Sequence, residues 1–234
     1  LEAQGTGLRA GFGEDRVVFD RDASITLNLE GDVRAVLKSG AQGSLVLQRV
    51  DRDGQPTLDV VASEGASLTI QGGARAPKVG EVSIEARTIH LVGRGPTAER
   101  SGYELVSADA QGDVVAKSGS DEFRAQRADF GFGARGRLVL ATLEEAVLLR
   151  RAGDDFRARS AVFEFGSDDK LKLATLNGEP TGDVGIGRFV APERPDLADL
   201  RAKISGAGPL IVKLEGGVDI DLLGPARVEV PGTT

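Results

Sequence analysis

The residues of this chain that could carry chemistry are few, and their spacing does not assemble a catalytic site. The one histidine, His90, lies in the segment EARTIHLVG, and the chain has no cysteine. A lone histidine without cysteine does not build a standard zinc site and gives no basis for a Ser-His-Asp triad. In an alternating strand the side chain of His90 points to the face opposite that of Ile89 and Leu91, so we expect it on the surface of a sheet.

Carboxylates occur in adjacent pairs, namely Glu144-Glu145, Asp154-Asp155 and Asp168-Asp169. A glycosidase needs two carboxyl groups about 5 to 10 Å apart across a cleft. Neighbouring residues of a strand point to opposite faces, so these pairs are not preset for that reaction. The acidic turns lack the ligand spacing of a calcium loop. We therefore expect no enzyme, no cofactor and no metal site.

The composition of the chain argues against several classes of protein, namely nucleic-acid-binding, membrane-surface and membrane-spanning proteins. The chain has 234 residues, of which 40% are hydrophobic and 4% aromatic, with 32 glycines. Its net charge of −7 argues against general affinity for nucleic acid and against docking on an anionic membrane surface. No run approaches the roughly 18 apolar residues that span a bilayer. The start at Leu1 suggests a mature chain, although Leu1-Glu2 also fits a cloning scar.

Short alternating segments bounded by glycine, aspartate or serine dominate the sequence. In SITLNLE, for example, Ile25, Leu27 and Leu29 fall on one face, with polar residues between them. Segments of this kind recur along the chain and predict about 16 to 18 β-strands without βαβ units. We expect one elongated all-β domain over 1–234, in which 1–100 either share its sheet or form a separate β module.

One segment is written twice. DEFRAQRADFGFGARGRLVLATL begins at Asp121, and DDFRARSAVFEFGSDDKLKLATL begins 33 residues later at Asp154, with 13 of 23 positions identical. The duplication covers 121–176 and predicts a repeated hairpin. Within each copy the parity of the apolar positions switches, near Gln126-Arg127 and near Arg159-Ser160. One inserted residue flips the pleat, so we predict a β-bulge and a bend in each copy.

These residues resemble the OstA-like repeat family of lipopolysaccharide-transport proteins, which includes LptA, LptC and the periplasmic domain of LptD. The motif is Ala-x-x-Ala-x-Phe, a polar turn and Leu-x-Leu, here Ala158, Ala161, Phe163, Leu171 and Leu173. LNGEP stands where the family has Gly-Asn-Val. The resemblance implies an elongated, twisted antiparallel β-jellyroll, or β-taco, with an apolar groove between two sheets.

The resemblance also implies a function and a site. Acyl chains of lipopolysaccharide or a related lipid would lie in the groove, and edge strands would pair with neighbouring β-jellyroll modules or with further copies of the chain. Such a protein would be periplasmic, in outer-membrane biogenesis of the bacterial envelope, with any membrane attachment through a removed N-terminal anchor. The predicted groove residues are Phe123, Ala128, Phe130, Phe132, Leu138, Leu140, Phe156, Ala161, Phe163, Phe165, Leu171 and Leu173.

Four arginines, Arg124, Arg127, Arg157 and Arg159, lie on the other face of the repeat. They fit a solvated sheet face with cross-strand ion pairs, or a rim that contacts lipid phosphates. The alternative to the transport function is a structural β-solenoid, such as a surface or assembly protein, with a closed core. A solenoid would pair its coils in parallel, whereas a jellyroll pairs its strands antiparallel.

Overall fold

The computed structural model describes residues 1–11, 15–52, 54–72, 81–97, 100–167, 170–186, 199–214 and 219–230. This part of the chain contains 20 strands and one 3-10 turn, at Ala134–Gly136. The strands are β1 Glu2–Thr6, β2 Arg9–Gly11, β3 Arg16–Phe19, β4 Arg21–Leu29, β5 Val33–Lys38, β6 Leu45–Arg52, β7 Gln55–Ala62, β8 Ala66–Gly72, β9 Val82–Ala86, β10 Thr88–Arg94, β11 Glu104–Ser118, β12 Asp121–Phe132, β13 Leu138–Arg151, β14 Asp154–Phe165, β15 Leu171–Asn177, β16 Thr181–Gly185, β17 Arg201–Gly206, β18 Leu210–Lys213, β19 Asp219–Leu222 and β20 Ala226–Glu229.

All pairings between these strands are antiparallel and join them into one continuous sheet that does not close into a barrel. The predicted all-β, antiparallel jellyroll is confirmed, and the β-solenoid alternative is wrong for the described strands because it requires parallel pairing. β9 and β10 both pair with β11, so the strands of residues 1–100 and those of the repeat share this sheet. The 20 strands exceed the predicted 16 to 18.

The sheet is folded along one line, which we call the seam. Four long strands, β11 to β14, cross the seam and pair with one another on both sides of it. The two halves of the outer two pair with different strands: β11 with β10 and β9, and β14 with β15 through Ser160–Phe165 and with β16 through Asp155–Arg157. Elsewhere a short break at the seam separates two successive strands, such as β9 and β10. Within the described residues the result is twelve V-shaped strands, each hydrogen-bonded to the next along the chain.

The two arms of the V-shaped strands form two walls. Wall A contains β2, β3, β6, β7, β10, β15, β18 and β19, and wall B contains β1, β4, β5, β8, β9, β16, β17 and β20; each also contains one half of β11 to β14. Their outer ends face each other across what we call the mouth, opposite the seam. At the two ends of the sheet, β1 with β2 and β19 with β20 have a neighbour on one side only within the described residues.

The backbone at the seam repeats with the same period as the sequence. Positive φ angles occur at Gly112-Asp113, Glu145-Ala146 and Gly178-Glu179, which are 33 residues apart. In β12 both Gln126 and Arg127 are exposed between buried Ala125 and Ala128, which confirms the predicted switch of the pleat. The bend therefore continues through three units, although the residue identity is strong in only two of them.

Candidate functional site

The space between the walls is the candidate site, and side chains fill it at the centre. Phe123 on wall B and Phe163 on wall A bring their ring centroids to 4.8 Å, and Phe165 on wall A lies 5.9 Å from Phe123. Phe163 is fully buried, at 0% exposure. The predicted apolar interior is therefore present, and aromatic contacts hold its two walls together.

Small and large side chains alternate along the rows that cross the interior of wall A. One row runs from Ala108 to Phe130, Ala141, Phe163 and Ala174, each directly opposite the next on a neighbouring strand. Opposed residues on one face are about 5 Å apart, so each ring has room above its alanine neighbours. The alanines of the repeat thus make space for phenylalanine rings, which sequence reasoning did not resolve.

Ten of the twelve predicted groove residues face the interior, and two do not. Leu140 is 42% exposed, and Leu173 lies opposite exposed Glu164 on the outer face of wall A. A second bulge in each copy is the cause: Gly131 pairs with Leu140 and Phe132 with Leu138, which leaves Val139 unpaired. The prediction that Leu140 and Leu173 line the groove is wrong. The ten inward residues are Phe123, Ala128, Phe130, Phe132, Leu138, Phe156, Ala161, Phe163, Phe165 and Leu171.

The four arginines predicted as a head-group rim lie elsewhere. Arg124, Arg127, Arg157 and Arg159 are exposed on the outer surface, within two residues of the bulges that form the seam. The seam is the closed side of the fold, so these guanidinium groups do not line the mouth. Arg124 donates to Glu122 at 2.8 Å, as expected for a solvated sheet face.

A row of buried polar residues follows the inner edge of wall B at the mouth. Ser118 pairs with Asp121 across β11 and β12, and Arg151 pairs with Asp154 across β13 and β14. We call these four residues the lip. Ser118, Asp121 and Asp154 are 5 to 6% exposed. Sequence reasoning missed the lip, although its two aspartates begin the two copies of the repeat and mark it.

The lip reaches the opposite wall through Arg151. Its Nη1 lies 3.2 Å from Oδ2 of Asp121 and donates to the carbonyl oxygen of Leu171 on wall A at 3.4 Å. Oδ1 of Asp121 is buried without a hydrogen-bond partner among the described residues. Burial raises the pKa of Asp121, an effect that Arg151 and Ser120 partly offset. Arg151 therefore links Asp121 to the opposite wall across the mouth. Burial makes the charged form of the Asp121 carboxylate costly, and the positive charge of Arg151 reduces that cost.

Nearer the N-terminus the mouth is closed by backbone. The amide of Tyr103, in the loop after β10, donates to the carbonyl of Asn28 at the end of β4, 3.0 Å away on the other wall. Gly136 also approaches wall B, and a Cβ there would lie 2.6 Å from Cδ1 of Leu29. Its φ of +69° further favours glycine. A cavity of about 190 Å³ lies beside this closure and includes Pro56, Leu58 and Tyr103 in its lining.

The outer face of wall A carries a small cluster of titratable groups. Nε2 of His90 lies 3.8 Å from Asp59, and Ile89 and Leu91 are buried, so the predicted surface position of His90 is confirmed. Asp109 and Asp129 stand directly opposite each other on β11 and β12. Burial raises the pKa of Asp129, and its hydrogen bond to Asp109 and the charge of that residue add to the effect.

Within the part of the chain that the structure describes, no group of three or more histidines, aspartates or glutamates could hold a metal ion. In the same part, no helix has the length and apolar character to cross a membrane. Comparison of the chain with protein-family models, with curated proteins and with solved structures gives no match.

Proposed function

We propose that the protein is a periplasmic lipid carrier of the bacterial envelope, a bridge module that holds the acyl chains of lipopolysaccharide or a related lipid between its two walls. The observation that carries the proposal is the architecture of the interior. Two continuous apolar walls, joined along one seam, run from one open sheet edge to the other and meet at a mouth on the opposite side.

Physical chemistry explains why such a shape suits the cargo. Exposure of an acyl chain to water costs about 0.8 kcal/mol per methylene, so transport through an aqueous compartment needs a continuous apolar surface. The walls are joined covalently at the seam, whereas non-covalent contacts close the mouth. Acyl chains would enter by parting the walls at the mouth and replacing contacts such as that between Phe123 and Phe163.

The sheet edges fit a bridge. Twelve V-shaped strands alternate in direction, so the last runs antiparallel to the first. A second copy that docks its β1 and β2 edge onto β20 and β19, wall upon wall, would therefore continue the meander with antiparallel pairing. Such a head-to-tail contact is heterologous and leaves a free edge at each end for a further module.

The experiment is to extract lipid from the purified protein and identify it by mass spectrometry, with photocrosslinking to an acylated probe through a photoreactive residue at position 163. Enrichment of an acylated lipid and crosslinking to the probe would support the proposal. The same crosslinker at position 140, on the outer face, is the matched control. Absence of lipid together with equal crosslinking at the two positions would refute the proposed cargo.

A second candidate function is a structural or assembly module of the envelope whose core stays closed. It is favoured by the packing of the interior, where Phe163 is 0% exposed and Phe123 only 2%. In that case position 163 would not crosslink to any acylated probe, and the chain would assemble through its edges without lipid. The two candidates therefore differ in the crosslink from the interior and agree on the edges.

A further inference from the structure

A concave region on the outer face of wall B is not explained by lipid carriage. It has a volume of about 560 Å³ and lies over β14, β16, β17 and β20, near the C-terminal end of the sheet. We call it the cleft. Its outward side chains form two cross-strand rows, Asp155, Asp183, Lys203 and Glu229 in one and Arg157, Thr181, Ser205 and Arg227 in the other.

Every carboxylate of the cleft already has an arginine partner. Asp183 accepts from Arg201 at 2.6 Å, and Glu229 pairs with Arg227 at 2.6 Å. Asp155 lies 3.5 Å from Arg150. Two of these three arginines, Arg150 and Arg201, come from outside the cleft lining. The three carboxylates of the cleft are therefore neutralised by arginines, and none of them needs Arg157 or Lys203 as a partner.

Two cations are left over. The side chains of Arg157 and Lys203 make no ion pair or hydrogen bond within the described residues. By contrast, the row that contains Lys203 continues across β14 to β11 as a series of ion pairs, from Asp155 through Arg150 and Glu122 to Lys117. Arg157 stands directly opposite Thr181, and Thr181 opposite Ser205, which is two residues from Lys203 on the same face. Two unpaired positive charges thus flank two exposed hydroxyl groups on a concave surface.

We propose that the cleft binds a phosphate monoester group. Such a group carries close to two negative charges near neutral pH and offers several acceptor oxygens. Arg157 and Lys203 match the charge, and the hydroxyls of Thr181 and Ser205 can donate to the remaining oxygens. The phosphate belongs either to a soluble molecule or to a lipid head group. The proposal does not depend on lipid carriage, because the cleft lies on the outer face of wall B and not in the interior between the walls.

The test is a titration of the full chain with inorganic phosphate, followed through the backbone amide resonances of Thr181 and Ser205. We expect saturable shifts at these two amides in the millimolar range, typical of an exposed site. Arg157→Ala and Lys203→Ala should each weaken binding about two- to fivefold, since exposed charge interactions are worth about 0.2 to 1 kcal/mol. All of these positions are surface positions, so the variants should fold.

Lys38→Ala is the matched control. Lys38 is exposed on the same outer face of wall B and lies between Ser24 and Ser67, but it is not part of the cleft. If Lys38→Ala weakened phosphate binding as much as Arg157→Ala, or if neither amide shifted, the proposal would be overturned. Recruitment of the protein to vesicles containing phosphatidic acid, but not to phosphatidylcholine vesicles, would assign the phosphate to a lipid. Binding of inorganic phosphate without such recruitment would assign it to a soluble molecule.

Discussion

The guanidinium of Arg151 lies 3.2 Å from the carboxylate of Asp121 on its own wall and donates to the carbonyl of Leu171 on the opposite wall. One side chain thus joins a buried charge to the backbone across the mouth. If acyl chains enter there, this contact has to open first. The first prediction concerns the rate of that opening.

Arg151→Ala should speed the uptake of an apolar fluorescent probe, such as N-phenyl-1-naphthylamine, by about fivefold, because it removes the hydrogen bond to Leu171 across the mouth, which is worth about 1 kcal/mol. Stopped-flow fluorescence measures the rate. Arg150→Ala is the control, since Arg150 pairs with Glu122 and Asp155 on the outer face and does not reach wall A. Equal uptake rates in the two variants would show that the mouth does not open at Arg151.

The interior aromatic contact should dominate stability. Phe163→Ala removes a fully buried ring and should lower the free energy of unfolding by about 3 to 5 kcal/mol. Leu140→Ala, at an exposed position on the outer face, should change it by no more than about 0.5 kcal/mol. Denaturant unfolding compares the two. A large loss in Leu140→Ala would contradict the placement of this residue outside the walls.

The glycines of the seam should tolerate substitution differently from those of the mouth. Gly178 has φ +76°, and a Cβ there would lie 2.6 Å from Cβ of Arg159; Gly153 has φ +88° with open space around it. Gly153→Ala should cost about 1 kcal/mol for its left-handed backbone alone. Gly178→Ala should cost clearly more in thermal unfolding, because backbone strain and a steric clash coincide. Equal losses of stability in the two variants would mean that Arg159 moves aside at no cost, which would contradict the predicted clash.

Stability should depend on pH through Asp129. The raised pKa of Asp129 means that the folded chain binds this proton more tightly than the unfolded chain. Its contribution is therefore most favourable in acid and is lost as pH rises through the raised pKa. At pH 7 Asp129→Asn should stabilise the fold by about 0.5 kcal/mol, by removing a like-charge pair. The gain should vanish well below pH 3.8, the ordinary pKa of the side chain, because Asp129 is then protonated in both the folded and the unfolded chain.

Thermal melts at several pH values test this expectation. Asp51→Asn is the control, because Asp51 is exposed and faces Pro56 across the hairpin of β6 and β7 instead of another carboxylate. A gain in Asp129→Asn that is independent of pH would contradict the raised pKa of Asp129.

Head-to-tail pairing of the edges can be tested with engineered cysteines, because the chain has none of its own. Gln4 on β1 and Arg227 on β20 end the same outer row of wall B, which continues through paired residues of every intervening strand. The variant carrying both Gln4→Cys and Arg227→Cys should give a covalent ladder beyond the dimer with a short bismaleimide. Gln4→Cys alone should stay uncrosslinked, because position 4 would then face Arg227 of the next copy and not a second cysteine. A double variant without a ladder would argue against the bridge.

The sequence by itself determined the local features of this protein. Period-2 alternation defined strands such as that of Ile25, Leu27 and Leu29, and the parity switch at Gln126-Arg127 predicted a bulge, because both depend only on neighbouring residues. The surface position of His90 followed from the same rule. The duplicated segment marked where the bend recurs.

Only the tertiary structure decided which residues meet. The second bulge, which turns Leu140 and Leu173 outward, is defined by pairing with β12 and β14, and no pattern within its own strand reveals it. The arginines near the seam were correctly placed on the outer face, but their distance from the mouth depends on the direction of the fold. The bridge from Asp121 through Arg151 to Leu171 spans two walls, and contacts between walls depend on how the whole sheet bends.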